Sequence, residues 1–211
     1  MIAAAAQDAE PVVYVIDDDD SIRFSLEDLL GSVGLEARTF ASAEAFAASP
    51  REDRPACVIL DIRMPGMSGL DWQREMAAGK DHLPIVFITA HGDVHMSVKA
   101  MKAGAIEFLT KPFRDQDLLD AIREGLKLNV EQRAAHAELT RLRACYGALD
   151  KREKQIMREV VDGSPSREIA TALGLSEITI KVRRRQIMQK MQAGSIPALV
   201  RMAVKLQAAE G

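Results

Sequence analysis

Five short strand candidates recur through the first half of the chain, most of them apolar runs, and each is followed by a segment of helical periodicity. No other feature limits the possible folds as strongly. The runs are PVVYVI (11–16), LEARTF (35–40), ACVIL (56–60), LPIVFIT (83–89) and AIEFLT (105–110). Between them, residues 21–33 place Ile22, Leu26, Leu29 and Leu30 on one stripe that Val33 closes. Residues 41–49 form a short Ala-rich helix with Ser42 as N-cap, and 68–78 form a helix that opens after Pro65 and Gly66. Residues 93–103 put Val94, Val98 and Met101 on one helical face, with Gly104 behind it. Such a succession predicts a doubly wound parallel sheet, an α/β fold with helices on both faces. In a sheet of this kind the chemistry gathers at the carboxyl ends of the strands.

Those ends carry the residue types that phosphate chemistry needs. Asp17 and Asp18 follow the first run, Asp61 the third, Thr89 ends the fourth, and Lys111-Pro112 follows the fifth. Clustered carboxylates repel one another unless a hard cation such as Mg²⁺ joins them. An aspartate can act as a nucleophile and carry an acyl phosphate. A lysine and a divalent cation would neutralise the transferring group, and a threonine hydroxyl could donate to its oxygens. Each residue alone has an ordinary structural role: a strand-end Asp caps the next helix, and a lone Lys is usually solvated. Their joint occurrence on successive strand ends is the informative part.

The segments VVYVIDDDDSIR, VILDIRMPGMSGLD, PIVFITAHGD and KAGAIEFLTKPF resemble the receiver domain of bacterial two-component response regulators, and the FixJ branch in particular. The resemblance spans about residues 11–125 and implies a set of roles. Asp61 accepts a phosphoryl group from a sensor histidine kinase. Mg²⁺ or Mn²⁺ is held by Asp17, Asp18, Asp61 and the backbone carbonyl of Arg63. Thr89 and Phe108 switch with phosphorylation, Lys111 pairs with the phosphoryl oxygens, and the bond before Pro112 is cis. Arg63 and His91 lie two residues after Asp61 and Thr89; they either tune the attacking water or form a solvated loop pair. A second reading is a phosphatase of the haloacid dehalogenase type, with Asp17 as nucleophile in the run Asp17-Asp18-Asp19-Asp20-Ser21. It requires a further carboxylate pair on a strand after the lysine, where Asp115 and Asp117 instead open a helix, and it leaves Asp61 without a role.

Residues 118–146 contain no Pro and a single Gly, and Leu118, Leu119, Ile122, Leu126, Val130, Leu139, Leu142 and Tyr146 recur at helical intervals. The stretch predicts one long helix, with 126–147 as the linker. A coiled coil and a helix packed on its own domains both remain open. Beyond it, residues 149–161 predict a helix with Asp150 as N-cap and Glu153 at N3. A second helix is capped by Ser164, with Ile169 and Leu173 inward, and ends before Gly174. Ser176 caps a third, SEITIKVRRRQIMQKM, with Ile180, Ile187 and Met191 inward and Lys181, Arg184, Arg185 and Lys190 on the opposite side. A fourth, 196–207, turns Leu199, Met202, Ala203 and Leu206 inward.

A helix, a tight glycine turn and a helix with a basic face form a helix-turn-helix suited to the DNA major groove. Residues 148–208 resemble the LuxR-type domain of FixJ/NarL regulators. The resemblance implies that Lys181, Val182 and Arg185 face bases while Thr179, Arg184 and Arg167 contact phosphates. Where many relatives carry His, this chain has Arg183.

Charge supports the division. Residues 1–124 carry a net −10 and residues 125–211 a net +7, within a whole-chain charge of −3. A basic second half suits a polyanion, and opposite charges also allow an inhibitory contact between the halves. The longest strongly apolar stretch, LPIVFITA, is far below the ~20 residues of a membrane span. Residues 1–10 read as a disordered lead-in without signal-peptide character. The two cysteines, Cys57 and Cys145, cannot form a disulfide framework, which points to the cytoplasm. The expected protein is thus a phosphorylation-controlled transcription regulator that dimerises, binds promoter DNA and meets RNA polymerase.

Overall fold

The computed structural model describes residues 10–78, 83–90 and 92–209. Strands β1 (Val12–Ile16), β2 (Glu36–Phe40), β3 (Ala56–Asp61), β4 (Ile85–Thr89) and β5 (Glu107–Thr110) alternate with helices α1 (Asp20–Ser32), α2 (Ala43–Ala48), α3 (Gly69–Ala78) and α4 (Val94–Lys102). The 33-residue α5 (Asp115–Gly147) follows. It leads to α6 (Lys151–Val161), α7 (Ser166–Leu173), α8 (Glu177–Lys190) and α9 (Ile196–Ala208). The chain divides into two compact units between Arg133 and Ala134.

The first unit is a parallel sheet in the order β2-β1-β3-β4-β5. Its central strands are buried on both faces, which is why they read as unbroken apolar runs. Alternation along each strand divides the core in two. Tyr14, Ile16, Val58, Leu60 and Phe87 pack with Phe46 of α2, Trp72 of α3 and Ala100 of α4. Val13, Val15, Cys57, Ile59, Val86 and Ile88 pack with Leu26 and Leu30 of α1 and Leu118 and Ile122 of α5. The strand order reverses beside β1 and β3, opening a crevice at their carboxyl ends.

Two apolar stripes are less buried than their spacing suggests. Val33 is the C-cap of α1 and lies 43 % exposed, because the helix ends before it can turn inward. On α4, Val94, Val98 and Met101 do share a face, but that face is solvent-exposed. Ala100 is the side chain of α4 that enters the core.

Helix α5 serves both units. Buried Asn129 accepts the Ala56 N–H at 3.0 Å, supplying a partner where β3 begins, and Arg133 pairs with Asp53 at 2.5 Å. Packing on the first unit therefore continues past residue 125. Further along, Leu139, Leu142, Cys145 and Tyr146 join the core of the second unit with Ile156, Ile169, Ile180, Ile187, Leu199 and Leu206.

In the second unit Asp150 and Glu153 form the reciprocal capping box of α6, and Gly174 takes the left-handed conformation (φ 63°) that turns the chain from α7 to α8. Ser164 is not the cap of α7. Its hydroxyl donates to Glu159 Oε2 at 2.9 Å, and Pro165 occupies the cap position without a side-chain hydrogen bond.

Candidate functional site

Two polar constellations stand out, one in each unit. The first lies at the switch point of the sheet. Asp17 follows β1 and is fully buried; Asp61 ends β3 and is 7 % exposed. The Asp17 carboxylate accepts the Asp19 N–H at 2.9 Å on Oδ1 and Lys111 Nζ at 2.6 Å on Oδ2. Asp61 accepts the Arg63 N–H at 3.1 Å on Oδ1 and the same Lys111 ammonium at 3.1 Å on Oδ2. Arg23 of α1 donates to the Asp17 carbonyl at 2.6 Å, so α1 fixes the loop it follows. Asp18 is exposed, and its carboxylate lies with those of Asp17 and Asp61 in a group of oxygens within 4.8 Å of one another. Thr89 is buried at the end of β4, and its carbonyl accepts the Lys111 N–H at 2.8 Å. The Lys111-Pro112 peptide is cis.

Electrostatics explain the arrangement. Burial pushes the Asp17 carboxyl above its ordinary value, while hydrogen bonds from Lys111 and Asp19 pull it back. Burial works to lower the Lys111 ammonium, but the Asp17 hydrogen bond and the charges of Asp17 and Asp61 outweigh it and the net shift is upward. The ammonium thus compensates two carboxylates that would otherwise repel. An all-oxygen donor set suits a hard divalent cation, and the three carboxylates fit one. Gly69, which opens α3, lies so close that a Cβ there would meet the Asp61 carbonyl oxygen at 2.4 Å. The chain can turn from β3 to α3 at this point only without a side chain, a requirement the MPGMSG segment did not single out.

Phe108 on β5 is half-buried beside Phe87, with ring centroids 6.5 Å apart. A Cβ on Gly92 would meet its ring at 2.8 Å. Arg63 is exposed, and His91 lies outside the described residues.

The second constellation is α8. Ser176 caps it, accepting the Thr179 N–H at 3.1 Å. The Thr179 hydroxyl is 2.8 Å from that of Ser176, Lys181 pairs with Glu177 at 2.8 Å, and Arg184 donates to Ser166 of α7 at 2.8 Å. Val182 and Arg185 are exposed, as is Arg167 on α7. Lys190 does not belong to the outward cationic face. It reaches back to the buried carboxylate of Glu153 at 2.7 and 2.8 Å, with Arg183 at 3.9 Å. Burying that carboxylate demands a counter-charge, and α8 supplies it.

Comparison with known families decides between the readings. Residues 13–123 match the family model "Response regulator receiver domain", and residues 148–203 match "Bacterial regulatory proteins, luxR family". The chain belongs to the response regulator family. Its relatives include "Response regulator protein TmoT" of Ectopseudomonas mendocina, 46 % identical over 95 % of this chain and 91 % of the relative. "Nodulation protein W" of Bradyrhizobium diazoefficiens is 45 % identical over 92 % of this chain and 86 % of that one. "Transcriptional regulatory protein FixJ" of Rhizobium meliloti is 40 % identical over 91 % and 94 %. Among solved structures, the response regulator StyR matches with a TM-score of 0.84 at 48 % identity, covering 93 % of this chain and all of that one. Full-length FixJ from B. japonicum matches with a TM-score of 0.53 at 36 % identity, covering 93 % and 97 %.

This response regulator therefore joins a receiver domain to a LuxR-type DNA-binding domain, and its relatives are transcriptional regulators. The phosphatase reading of Asp17 is set aside: the matched family is not that of a phosphatase, and Asp61, not a further strand, faces Lys111. A receiver domain implies a kinase partner, and a LuxR-type domain implies DNA. Among the described residues, no helix is long and apolar enough to cross a membrane.

Proposed function

We propose that Asp61 is the phosphoacceptor and that its phosphorylation by a sensor histidine kinase controls DNA binding by α8. The observation that carries this reading is the single Lys111 ammonium shared by Asp17 and Asp61 at the mouth of the sheet. In the transfer, an Asp61 carboxylate oxygen attacks the phosphorus of the kinase phosphohistidine, the P–N bond breaks, and an acyl phosphate forms. Lys111 is placed to leave Asp61 and follow the new phosphoryl oxygens while keeping its contact with Asp17. Asp17, Asp18, Asp61 and the Arg63 carbonyl would hold Mg²⁺ or Mn²⁺, which supplies neutralising charge to the phosphoryl oxygens. Thr89, buried at the end of β4, donates to the phosphoryl group, and Phe108 follows it inward. Arg63 stands at the solvent side of the site, where it bears on the attack of water. Beyond slow loss of its own phosphate, the protein has no catalytic activity of its own.

The output is a homodimer. Val94, Val98 and Met101 expose an apolar face on α4, next to β5, and two such faces would bury each other. Dimers bring two copies of α8 to two half-sites in promoter DNA, where RNA polymerase is met. There Lys181, Val182 and Arg185 face bases, and Thr179, Arg184 and Arg167 contact phosphates. The protein works in the cytoplasm.

Intact mass after incubation with acetyl phosphate and Mg²⁺ tests the reading. One added phosphoryl group is expected, and its absence in Asp61→Asn. An adduct that persists in that variant and needs Asp17 overturns it. Light scattering of the same samples should show the phosphorylated chain at twice the mass of the untreated one.

A further inference from the structure

The outward face of α8 is not uniformly polar. Ile178, in its first turn, is 76 % exposed, and Val182, one turn later, is 52 % exposed. The two are four residues apart and therefore adjacent on one helix face, and Arg185 continues the same stripe one turn further. Single exposed aliphatic residues need no explanation. A contiguous pair within a cationic surface is different, because Lys181 and Arg185 border it and α8 otherwise turns its apolar residues, Ile180 and Ile187, into the core.

The polar neighbours of this pair are largely engaged within the protein. Thr179 is 2.8 Å from Ser176, Lys181 pairs with Glu177 at 2.8 Å, Arg184 is held by Ser166 at 2.8 Å, and Arg183 leans toward Asp150 at 3.7 Å. What α8 offers a major groove at its leading end is thus an aliphatic surface with positive charge around it. The C5-methyl of thymine is the apolar group that a B-DNA major groove displays, and the flanking phosphates match the flanking cations. We infer that Ile178 and Val182 form a methyl-reading pair that selects thymine within each half-site, Ile178 being a specificity-determining residue alongside the basic ones.

This inference rests on the reading that α8 enters the major groove, and the test separates the two. The full chain, phosphorylated with acetyl phosphate, selects duplexes from a randomised pool. The enriched duplex is then remade with deoxyuridine replacing thymidine at one position at a time, which removes only the methyl. Affinity should fall by about 4-fold at one or two positions per half-site, equivalent to ~0.8 kcal/mol for one buried methyl group. Ile178→Ala should bind the thymidine and deoxyuridine forms equally at one of those positions, with an unchanged salt slope. An enriched duplex indifferent to every replacement overturns the inference alone, as does an Ile178→Ala variant that keeps the full thymidine preference. Failure to enrich any duplex, or enrichment unaltered by Arg185→Ala, overturns the placement of α8 and the inference with it. The replacement series on the unaltered protein needs no variant, so it decides the matter even if Ile178→Ala folds poorly.

Discussion

Asp17 and Lys111 stand 94 residues apart in the chain and meet at 2.6 Å, the carboxylate fully buried and the lysine partly so. The pair forms because the parallel sheet brings the carboxyl ends of β1 and β5 to one rim. Removing Lys111 leaves the buried Asp17 and Asp61 carboxylates facing each other without a counter-charge, whereas removing Asp17 leaves the ammonium its contact with Asp61.

Lys111→Ala should therefore destabilise the receiver domain by about 3–5 kcal/mol, the usual cost of breaking a buried pair. Asp17→Asn in the same chain should restore part of the loss. Trp72, the single tryptophan, is buried in the receiver core, so its fluorescence during guanidinium unfolding reports this domain. Equal stability of wild type and Lys111→Ala would refute the compensation argument.

Gly125 tests the packing of α5. A Cβ there would lie 2.7 Å from Cys57 Sγ and 3.3 Å from Pro84 Cβ. Gly125→Ala should cost about 1–3 kcal/mol by overpacking. Cys57→Ala added to it should recover much of that, because it removes the atom being struck. Burial pushes the Cys57 thiol up to about 12, so no thiolate chemistry competes with this steric account.

Glu153 makes the DNA-binding domain acid-sensitive. The Lys190 hydrogen bond, with further help from the Asp150 N–H, holds its carboxyl below the ordinary 4.5 despite burial. The unfolded chain thus binds a proton that the folded chain refuses. The associated stability is fully present above pH 4.5 and is lost as pH falls through the depressed folded value. In calorimetric scans between pH 7 and 3, the transition not followed by Trp72 should move to lower temperature with acid. It should do so less steeply in Glu153→Gln.

Glu177 moderates the DNA face. Lys181 holds its carboxyl below the ordinary range through an i,i+4 contact at 2.8 Å, and that contact occupies the cation that the proposed function turns toward bases. Glu177→Gln should tighten binding to random duplex several-fold at low salt, because it frees the Lys181 ammonium and removes a negative charge beside it, and the gain should shrink as salt rises. Equal affinity of wild type and Glu177→Gln for the same duplex would mean that Glu177 does not hold Lys181 away from DNA.

Much of this protein is legible in its residues alone. The apolar runs place the central strands β1, β3 and β4 because strands buried on both faces need continuous apolar residues, and the caps Ser42, Asp150 and Ser176 lie where a side-chain oxygen can meet orphan N–H groups. The strand-end residues Asp17, Asp61, Thr89 and Lys111 are recognisable because parallel strands all point their carboxyl ends to one rim. Periodicity, however, says which residues share a face and not what lies opposite it. Val94, Val98 and Met101 have the spacing of a buried stripe and are exposed, since nothing in the described receiver covers that side of α4. Lys190 reads as a solvated cation and is bound to Glu153, 37 residues away. Ser164 has the residue type of a cap and bonds Glu159. Asn129 and Gly69 carry no local signal at all; one is defined by the Ala56 N–H and the other by the Asp61 carbonyl. Local sequence determines backbone conformation and solvent preference because these depend on neighbours within a turn or two. Pairings of buried polar groups and the limits of space depend on which distant backbone arrives alongside, and only the tertiary structure decides that.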